Sequence, residues 1–353
     1  MKDFALSRQD TAVLKGIAIC AMLFHHLYFS IPAGVENYSG ILLRLGDLGK
    51  VCVSIFLFCS GYGLAASYAN RKNVSLKGSV AFVARRFLKF YSNYWIILLI
   101  FIPISIFVFG RTFEVAYAGM NIPKRIVFEL LAINSTSSYN ITWWFNVLIV
   151  ILYLLFPIIY WLVERTGIVF VMFSLALFRF CYHIPGNYAE IYLWQFPFVI
   201  GVYWSTRASK TTNRVDFVEK HRVLCLVMVV ALLAVLVFLR FRPVIPKWYG
   251  VRMDPFLTCA TAIIVILAIR RIQWLSTWLA FLGKHSMNIY LMHTFFNGYW
   301  HPQWLHTGIW MRSGLNFLVL LSICLVISVF LEWMKERSGF NSVVNKISDR
   351  MLS

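Results

Sequence analysis

An apolar run near the start of the sequence, LKGIAICAMLFHHLYF at residues 14–29, contains one lysine and two adjacent histidines. Ionisable side chains are rare in segments that cross a bilayer, and those that occur there usually have a function. A histidine can take a proton from a hydroxyl group or attack an acyl group directly, and a lysine ammonium can bind phosphate as a point charge. Lys15, His25 and His26 are therefore the first candidates for a site.

Helical geometry separates the two histidines. On a helix that rises 1.5 Å and turns 100° per residue, Lys15 and His26 lie within about 20° of one face and roughly 16 Å apart along the axis. His25 points about 100° away from that face, which makes it the weaker candidate. The alternatives are that Lys15 only extends its ammonium to the membrane surface, and that His26 makes a hydrogen bond between helices.

Two other groups of residues could contribute to a site. Arg85, Arg86 and Lys89 form a basic cluster before an apolar run, where they could bind an anionic cytoplasmic substrate or simply anionic lipid head groups. Late in the chain, three polar residues have the spacing i, i+4, i+7 and project from one helical face. These residues are Ser286, Tyr290 and His293, which we treat as a secondary site, with a polar seam between packed helices as the alternative.

Membrane-spanning helices must position these residues. Of the 353 residues, 60% are hydrophobic and 13% are charged, whereas soluble domains contain about 25% charged residues. No polar stretch is long enough to fold alone, so the sequence predicts an all-α, polytopic integral membrane protein with about ten transmembrane helices. The ten apolar runs lie at 11–31, 48–69, 92–110, 143–163, 166–183, 188–206, 222–240, 255–270, 277–297 and 315–334.

Basic residues predict the orientation in the membrane. With ten spans both termini lie on one side, and cytoplasmic loops carry an excess of lysine and arginine. If the N-terminus is inside, the cytoplasmic segments hold twice as many basic residues as the opposite side. Both termini are therefore predicted to be cytoplasmic. The first span contains two histidines and lacks a convincing cleavage site, so we expect it to be retained as an anchor.

Composition argues against two other kinds of site. The formal net charge is +19, but the basic residues are spread over loops that flank apolar runs. That pattern is typical of membrane topology and lipid contact, and it does not indicate nucleic acid binding. The seven cysteines lie in apolar runs without C-x-x-C spacing, so we predict neither a disulfide nor a metal site.

The first run resembles the first-helix signature of the acyltransferase 3 family, a basic residue followed by ten residues and a histidine. Lys15 and His26 match this signature, although family members usually have arginine at the position of Lys15. Four more segments resemble family motifs in the same order, so residues 1–353 are interpreted as one transmembrane acyltransferase domain. The segments are VSIFLFCSGYGLA at 53–65, which includes Ser60 and Gly61, FVARRFLKFYSNYW at 82–95, WWFNVLIVILYLLFP at 143–157 and LGKHSMNIYLMH at 282–293.

The resemblance implies a reaction at the plasma membrane. An acyl group, most often acetyl, would move from acyl-CoA on the cytoplasmic side to a hydroxyl group of a glycan or lipid-linked saccharide. His26 would be the catalytic residue, either as a general base or as a nucleophile. No metal would be needed, and the roughly 16 Å between Lys15 and His26 is similar to the reach of an extended pantetheine arm.

The other candidate residues take supporting roles in this interpretation. The CoA phosphates would be bound by Lys15, Arg85, Arg86 and Lys89. Ser60 would join the polar stripe of Ser286, Tyr290 and His293 as a secondary polar site. Some relatives carry an additional extracytoplasmic hydrolase-like domain, and the sequence has no soluble insertion with its nucleophile motif. We therefore expect the membrane domain to bind the acceptor itself, through outer loops around 121–144 and 297–312.

Two function classes other than an acyltransferase remain as alternatives. A secondary transporter or exporter of a small molecule would also need buried histidine and lysine residues, but transporters usually have helices broken near the membrane midplane in corresponding halves. The sequence does not indicate such paired breaks. A scaffold or sensor would not need the ordered set of motifs.

Overall fold

A computed structural model describes residues 4–29, 40–70, 75–134, 138–180, 189–208, 215–241, 251–300 and 315–351. These ranges are helical and contain no strand, in agreement with the predicted all-α class. The described ranges before residue 181 contain eight α-helices: α1 (Arg8–Tyr28), α2 (Gly40–Leu48), α3 (Val51–Ala69), α4 (Leu76–Phe107), α5 (Phe113–Ala116), α6 (Ile122–Leu130), α7 (Trp144–Thr166) and α8 (Ile168–Phe180). Eight follow: α9 (Ala189–Ala208), α10 (Val215–Lys220), α11 (Arg222–Arg240), α12 (Asp254–Leu267), α13 (Gln273–Lys284), α14 (Ser286–Thr294), α15 (Leu315–Arg337) and α16 (Phe340–Arg350).

Five helices within the described ranges are long and apolar enough to cross a membrane. They are Arg8–Tyr28, Leu76–Phe107, Ile141–Thr166, Arg222–Arg240 and Leu315–Arg337. The protein is thus a helical membrane protein, whereas the predicted count of ten spans is not confirmed. Several of the other predicted runs form helices that are shorter than the runs. The run at 166–183, for example, corresponds to α8 with 13 residues, because Gly167 (φ 59°) separates it from α7.

The predicted span at 277–297 is divided into two helices. α13 ends at Lys284 and α14 begins at Ser286, with His285 between them at φ −87° and ψ 0°. The His285 Nδ1 lies 2.9 Å from the Ser328 hydroxyl oxygen, so the side chain of the junction residue is bound to α15. The break falls at a short polar stretch, Lys284, His285 and Ser286, which the surrounding apolar residues outweigh when hydropathy is averaged over the whole run.

Another difference concerns the predicted cytoplasmic loop at 70–90. The part from Leu76 onward is helical and belongs to α4, whose 32 residues correspond to about 48 Å. Ser75 caps the helix by accepting a hydrogen bond from the Gly78 amide at 3.1 Å, and the following residues include good helix formers such as leucine, lysine and arginine. Residues 71–74 of that loop lie outside the described ranges, as do Cys181 and residues 301–312 of the predicted outer loop.

The chain divides into two compact units. The first contains Met1–Met22, Leu48–Lys72 and Phe156–Lys284. Its centre is the packing of α3 on α9, where the backbones approach so closely that a Cβ atom on Gly61 would lie 2.2 Å from the Phe198 carbonyl oxygen. A buried ion pair between Arg240 and Asp254, 2.8 Å long, joins α11 to α12 in the same unit.

The second unit contains Leu23–Asp47, Asn73–Leu155 and His285–Ser353. Its core is aromatic: Phe295 is completely buried, and its ring contacts those of Phe101 and Trp143 at centroid distances of 5.2 and 6.0 Å. Trp143 also donates a hydrogen bond from Nε1 to the Leu291 carbonyl at 2.9 Å. These contacts fix α14 relative to α4 and to the beginning of α7.

Candidate active site

His26 lies in the last turn of α1, and its imidazole packs against the imidazole of His293 on α14. The ring centroids are 4.8 Å apart and the ring planes are inclined by 39°. His26 is half-buried, whereas His293 is fully buried. The structure therefore brings the residue predicted to be catalytic into contact with one that was predicted to belong to a secondary site.

The backbone around His26 is held on two sides. The Asn297 amide nitrogen donates a hydrogen bond of 2.9 Å to the His26 carbonyl oxygen. Asn297 lies in a π-helical turn, Phe295–Tyr299, that directly follows α14, and such turns are frequent at functional sites. On the other side, the Tyr28 hydroxyl donates to the Asn316 side-chain oxygen on α15. The end of α1 is thus a fixed position and not a frayed terminus.

The side chain of His25 packs between α1 and α2. Its Nδ1 lies 2.8 Å from the Gly46 carbonyl oxygen on α2, and because a carbonyl only accepts, the His25 Nδ1 must carry the hydrogen. The ring is buried and stacks on Phe29 at a centroid distance of 5.3 Å. These contacts connect α1 to α2.

A hydrogen bond sets the protonation pattern of His293. Its Nδ1 lies 2.8 Å from the Tyr290 carbonyl oxygen, so Nδ1 carries the hydrogen and Nε2 of the neutral ring is the acceptor. The Nε2 atom lies 3.2 Å from the Thr294 hydroxyl oxygen. His293 therefore presents a basic nitrogen within the buried cluster beside His26.

A chain of hydroxyl groups continues from His293 toward the start of α7. The Thr294 and Thr142 hydroxyl oxygens are 3.0 Å apart, and the Thr142 hydroxyl donates to the Asn140 side-chain oxygen at 2.8 Å. All three residues are buried. Sequence reasoning missed them, because single threonines and asparagines next to apolar runs have no distinctive spacing.

Two buried amide atoms of this cluster have no hydrogen-bond partner among the described residues. They are the Asn297 side-chain oxygen and the Asn140 side-chain nitrogen. A buried polar group without a partner costs roughly 1–3 kcal/mol, so such groups are uncommon and need an explanation. The Asn297 oxygen needs a donor and the Asn140 nitrogen needs an acceptor, and a hydroxyl group can act as either.

The remaining members of the predicted secondary site have different surroundings. The Tyr290 hydroxyl donates to the Thr142 carbonyl oxygen at 2.8 Å, so Tyr290 supports the same cluster as His293. Ser286 is buried at the start of α14, about two helical turns before His293. Ser60 lies on α3, in the first compact unit, whereas the other three belong to the second.

Lys15 lies on the same unbroken helix as His26. It is half-buried and belongs to the part of α1 that is included in the first unit. Next to it, a Cβ atom on Gly16 would lie 2.0 Å from the Leu279 carbonyl oxygen, so α1 and α13 pack backbone to backbone here. Because α1 is continuous from Arg8 to Tyr28, the roughly 16 Å separation along the axis applies to the folded protein.

The predicted phosphate-binding cluster lies on a helix. Arg85 and Arg86 are half-buried and Lys89 is exposed, all within α4 of the second unit. The Arg86 guanidinium lies 5.1 Å from the ring centroid of Phe82, one turn earlier, which orients this side chain along the helix.

A buried charged network joins α14 to α4 and α15, and sequence reasoning missed it. The Lys335 ammonium contacts Glu332 and donates to the Asn93 side-chain oxygen at 2.5 Å. Asn288 donates to Glu332 at 2.8 Å and accepts a hydrogen bond from Asn93 at 3.1 Å. In the sequence, Glu332 and Lys335 lie three residues apart at the end of the last apolar run, and this acid–base pair was the available signal for the network. The network holds α14, and hence His293, in place.

A second missed cluster surrounds Glu129, a buried residue of the short helix α6. Its carboxylate accepts hydrogen bonds from the Tyr117 hydroxyl (3.0 Å), the Asn134 amide (3.1 Å) and the Tyr139 backbone amide (2.8 Å). Burial raises the pKa of Glu129 to about 6, although these donors act in the opposite direction. In the sequence, Glu129 is the one carboxylate among residues 122–133, which are otherwise apolar or basic, and this was the available signal.

Comparison with known protein families matches residues 12–334, nearly the whole chain, to the acyltransferase domain of the acyltransferase 3 family. Comparison with curated proteins and with solved structures finds no match. The match includes His26, His293 and every other residue of the buried cluster described above.

Proposed function

The chain belongs to the acyltransferase 3 family and is a membrane acyltransferase, and from this premise we propose that it transfers an acyl group, most often acetyl, from acyl-CoA to a hydroxyl group. The acceptor is a glycan or a lipid-linked saccharide. The observation that carries the proposal is the contact between the half-buried His26 and the fully buried His293, with ring centroids 4.8 Å apart. Buried imidazole groups are suited to proton transfer and to acyl transfer.

His26 supplies the chemistry in one of two ways. As a general base it takes the proton of the acceptor hydroxyl while the oxygen attacks the thioester carbon. The carbon–sulfur bond breaks, and the proton passes to the CoA thiolate. As a nucleophile, His26 attacks the thioester first, releases CoA, and holds the acyl group on its ring until the acceptor hydroxyl removes it. Both routes need a neutral imidazole at His26.

Acyl-CoA fits the distribution of cations along the chain. Lys15 lies on α1 about 16 Å from His26 along the helix axis, which is similar to the reach of the pantetheine arm. Arg85, Arg86 and Lys89 add three positive charges on α4, and phosphate groups form strong charge-assisted hydrogen bonds with such side chains. In this scheme the phosphates stay among the cations while the thioester reaches His26.

The acceptor is proposed to bind from the opposite side. The unpartnered Asn297 oxygen and Asn140 nitrogen offer one acceptor and one donor within the buried cluster. A hydroxyl group and the carbonyl of the transferred acyl group would satisfy both atoms. With both termini in the cytoplasm, the acyl group crosses part of the plasma membrane while CoA remains inside.

A direct test measures CoA release from radiolabelled acetyl-CoA by the purified, reconstituted protein. We expect release that requires His26 and is lost in His26→Ala. If wild type retains label on the protein when no acceptor is present, His26 acts as a nucleophile, whereas release that depends wholly on added acceptor indicates a general base. Equal release by wild type and His26→Ala would contradict the proposed function.

A further inference from the structure

The Asn297 side chain has a fixed orientation beside His26. Its amide nitrogen donates a hydrogen bond of 2.9 Å to the His26 carbonyl oxygen. A carbonyl oxygen only accepts hydrogen bonds, so the nitrogen of the Asn297 amide must face it and the amide oxygen must point elsewhere. The two ends of this amide therefore cannot be exchanged, and the position of its oxygen is set by the end of α1.

The end of α1 also determines on which side of His26 this amide lies. The last four carbonyl groups of an α-helix have no partner within the helix, and in α1 they include that of His26. Helical carbonyl groups point toward the C-terminal end, so Asn297 lies beyond His26, toward Tyr28. Lys15 belongs to an earlier part of the same helix. Asn297 is thus on the side of His26 that is opposite to the proposed path of the pantetheine arm.

The Asn297 oxygen has no hydrogen-bond partner among the described residues, although Asn297 is only 5% exposed. Thr294, which lies close in the sequence, does not supply the missing hydrogen. Its hydroxyl lies 3.2 Å from the His293 Nε2 and 3.0 Å from the Thr142 hydroxyl oxygen, so its single hydrogen is used in one of these contacts. A buried acceptor in this state is completed by water or by a bound molecule.

Asn297 also lies next to the paired imidazole rings. It follows His293 by one helical turn, and side chains with this spacing are neighbours, with Cβ atoms roughly 5–6 Å apart. His26 contacts the His293 ring at a centroid distance of 4.8 Å and is bound to Asn297 through its carbonyl. The unpartnered oxygen therefore borders the place where the acceptor hydroxyl reacts.

The reacting hydroxyl cannot itself complete the Asn297 oxygen. A hydroxyl group has one hydrogen, and this hydrogen must pass to a basic nitrogen while the oxygen forms its bond to the acyl carbon. A side-chain amide is too weak a base to take it. The hydrogen that Asn297 accepts must therefore come from a second O–H or N–H group of the bound acceptor.

We propose that Asn297 is a specificity-determining residue that binds a second hydroxyl group of the acceptor, adjacent to the hydroxyl that receives the acyl group. The acceptor is then a compound with neighbouring hydroxyl groups, and a simple alcohol is a poor substrate. This inference rests on the proposed function and specifies which part of the acceptor is recognised.

A series of three small acceptors tests the inference in the wild-type protein. They are trans-cyclohexanediol with adjacent hydroxyl groups, its monomethyl ether, and cyclohexanol, each supplied with radiolabelled acetyl-CoA to the full-length protein in detergent micelles. The methyl ether keeps the second oxygen but has no hydrogen on it. We expect kcat/KM for the diol to exceed that for either other compound by about 10- to 100-fold, as when one buried polar group is left unpaired.

A difference of no more than about twofold would overturn the inference, because a diol has two hydroxyl groups that can react and one unpaired group costs more than this. An Asn297 oxygen that is permanently completed by water would give this result. CoA release that continues without acetylation of any of the three compounds would overturn it as well.

Two variants locate the preference at Asn297. Asn297→Leu has a similar shape without the acceptor, so its kcat/KM for the diol and for the methyl ether should become similar, even if both values fall. Asn146→Leu is the matched control, because Asn146 is a buried asparagine of α7 whose unpartnered atom is the nitrogen. It should keep the wild-type preference, and a preference that persists in Asn297→Leu would remove the assignment.

The results separate this inference from the function on which it rests. His26-dependent CoA release without a preference for the diol contradicts the role of Asn297 and leaves the acyltransferase reaction in place. Release that does not depend on His26 contradicts both.

Discussion

The imidazole rings of His26 and His293 lie 4.8 Å apart between centroids, although the two residues come from opposite ends of the sequence. His293 is fixed by its hydrogen bond to the Tyr290 carbonyl, and the backbone of His26 is fixed by Asn297. A change of either ring should therefore affect the reaction more than the fold. The predictions below begin with this pair.

Adjacent histidines provide an internal control. His26→Ala should abolish acyl transfer while leaving membrane insertion intact, because His26 is the proposed chemical centre. His25→Ala should retain part of the activity and reduce thermal stability, since it removes the bond to the Gly46 carbonyl. Acyl transfer and melting temperature, measured on both purified variants, check this pair. A His25→Ala protein that is folded but as inactive as His26→Ala would reassign the site.

His293 should contribute to turnover and not to donor binding. His293→Phe keeps an aromatic ring but removes the basic nitrogen, and we expect kcat to fall about 100-fold with little change in the KM for acyl-CoA. His285→Gln is the matched control, because His285 is equally buried but contacts Ser328 instead of His26. Steady-state kinetics of both variants decide the point: similar values of kcat in the two would mean that His293 only fills space.

Lys15 and Arg85 should act on acyl-CoA binding. Lys15→Arg restores the residue that the family usually has, and it should preserve most of the activity. Lys15→Ala should raise the KM for acyl-CoA by about tenfold, because a charge-assisted phosphate contact is lost. The double variant Lys15→Ala, Arg85→Ala should raise it further. A double variant with the wild-type KM would remove both residues from the donor site.

Glu129 should make the stability of its segment depend on pH. Its pKa is raised from 4.5 to about 6 in the folded protein, so the folded state binds this proton more tightly than the unfolded state does. The folded state is therefore favoured most below pH 4.5, and this contribution is lost as the pH rises through about 6. Its total is at most about 2 kcal/mol.

Hydrogen exchange of residues 111–134 at about pH 5 and about pH 7.5, corrected for intrinsic rates, measures this effect. We expect less protection at the higher pH in the wild type and a smaller change in Glu129→Gln, which cannot ionise. Glu114→Gln is the control, because Glu114 is exposed on α5 in the same segment. A wild type with equal protection at both values would show that the carboxylate does not titrate in this range.

Sidedness can be measured at two exposed positions. In a background without the seven native cysteines, Lys77→Cys should react with a membrane-impermeant thiol reagent only from the cytoplasm, and Asn121→Cys only from outside. The reverse pattern would overturn the predicted topology and the route by which the acyl group moves outward.

The candidate site was partly predictable from the sequence. The spacing of Lys15 and His26 favoured His26 over His25, and in the structure His26 is the member of the pair that contacts His293, whereas His25 binds the Gly46 carbonyl. The i, i+4, i+7 pattern placed Tyr290 and His293 together on α14. That His293 faces His26 depends on how α14 packs against α1, and no local pattern contains this information.

Other features depended on long-range contacts or on weak local signals. Glu129 could have been suspected, because a carboxylate in an apolar and basic segment is unusual, but its partners Tyr117 and Tyr139 are fixed only by the fold. At the division of the run at 277–297, His285 contacts Ser328 of α15, a partner that is more than forty residues away in the sequence. Hydropathy predicted the membrane class correctly, since that class depends on composition, whereas the count of ten spans is not confirmed by the described residues.

The length of α4 has a consequence for affinity. Arg85, Arg86 and Lys89 precede the predicted apolar run at 92–110, and the structure places them on a regular helix that starts at Leu76. A loop must lose about 1–2 kcal/mol of backbone conformational entropy for each residue that it orders around an anion. The α4 backbone has already lost this freedom during folding. If an anion binds at this position, as proposed, it orders only the side chains, so fewer cations are needed for a given affinity.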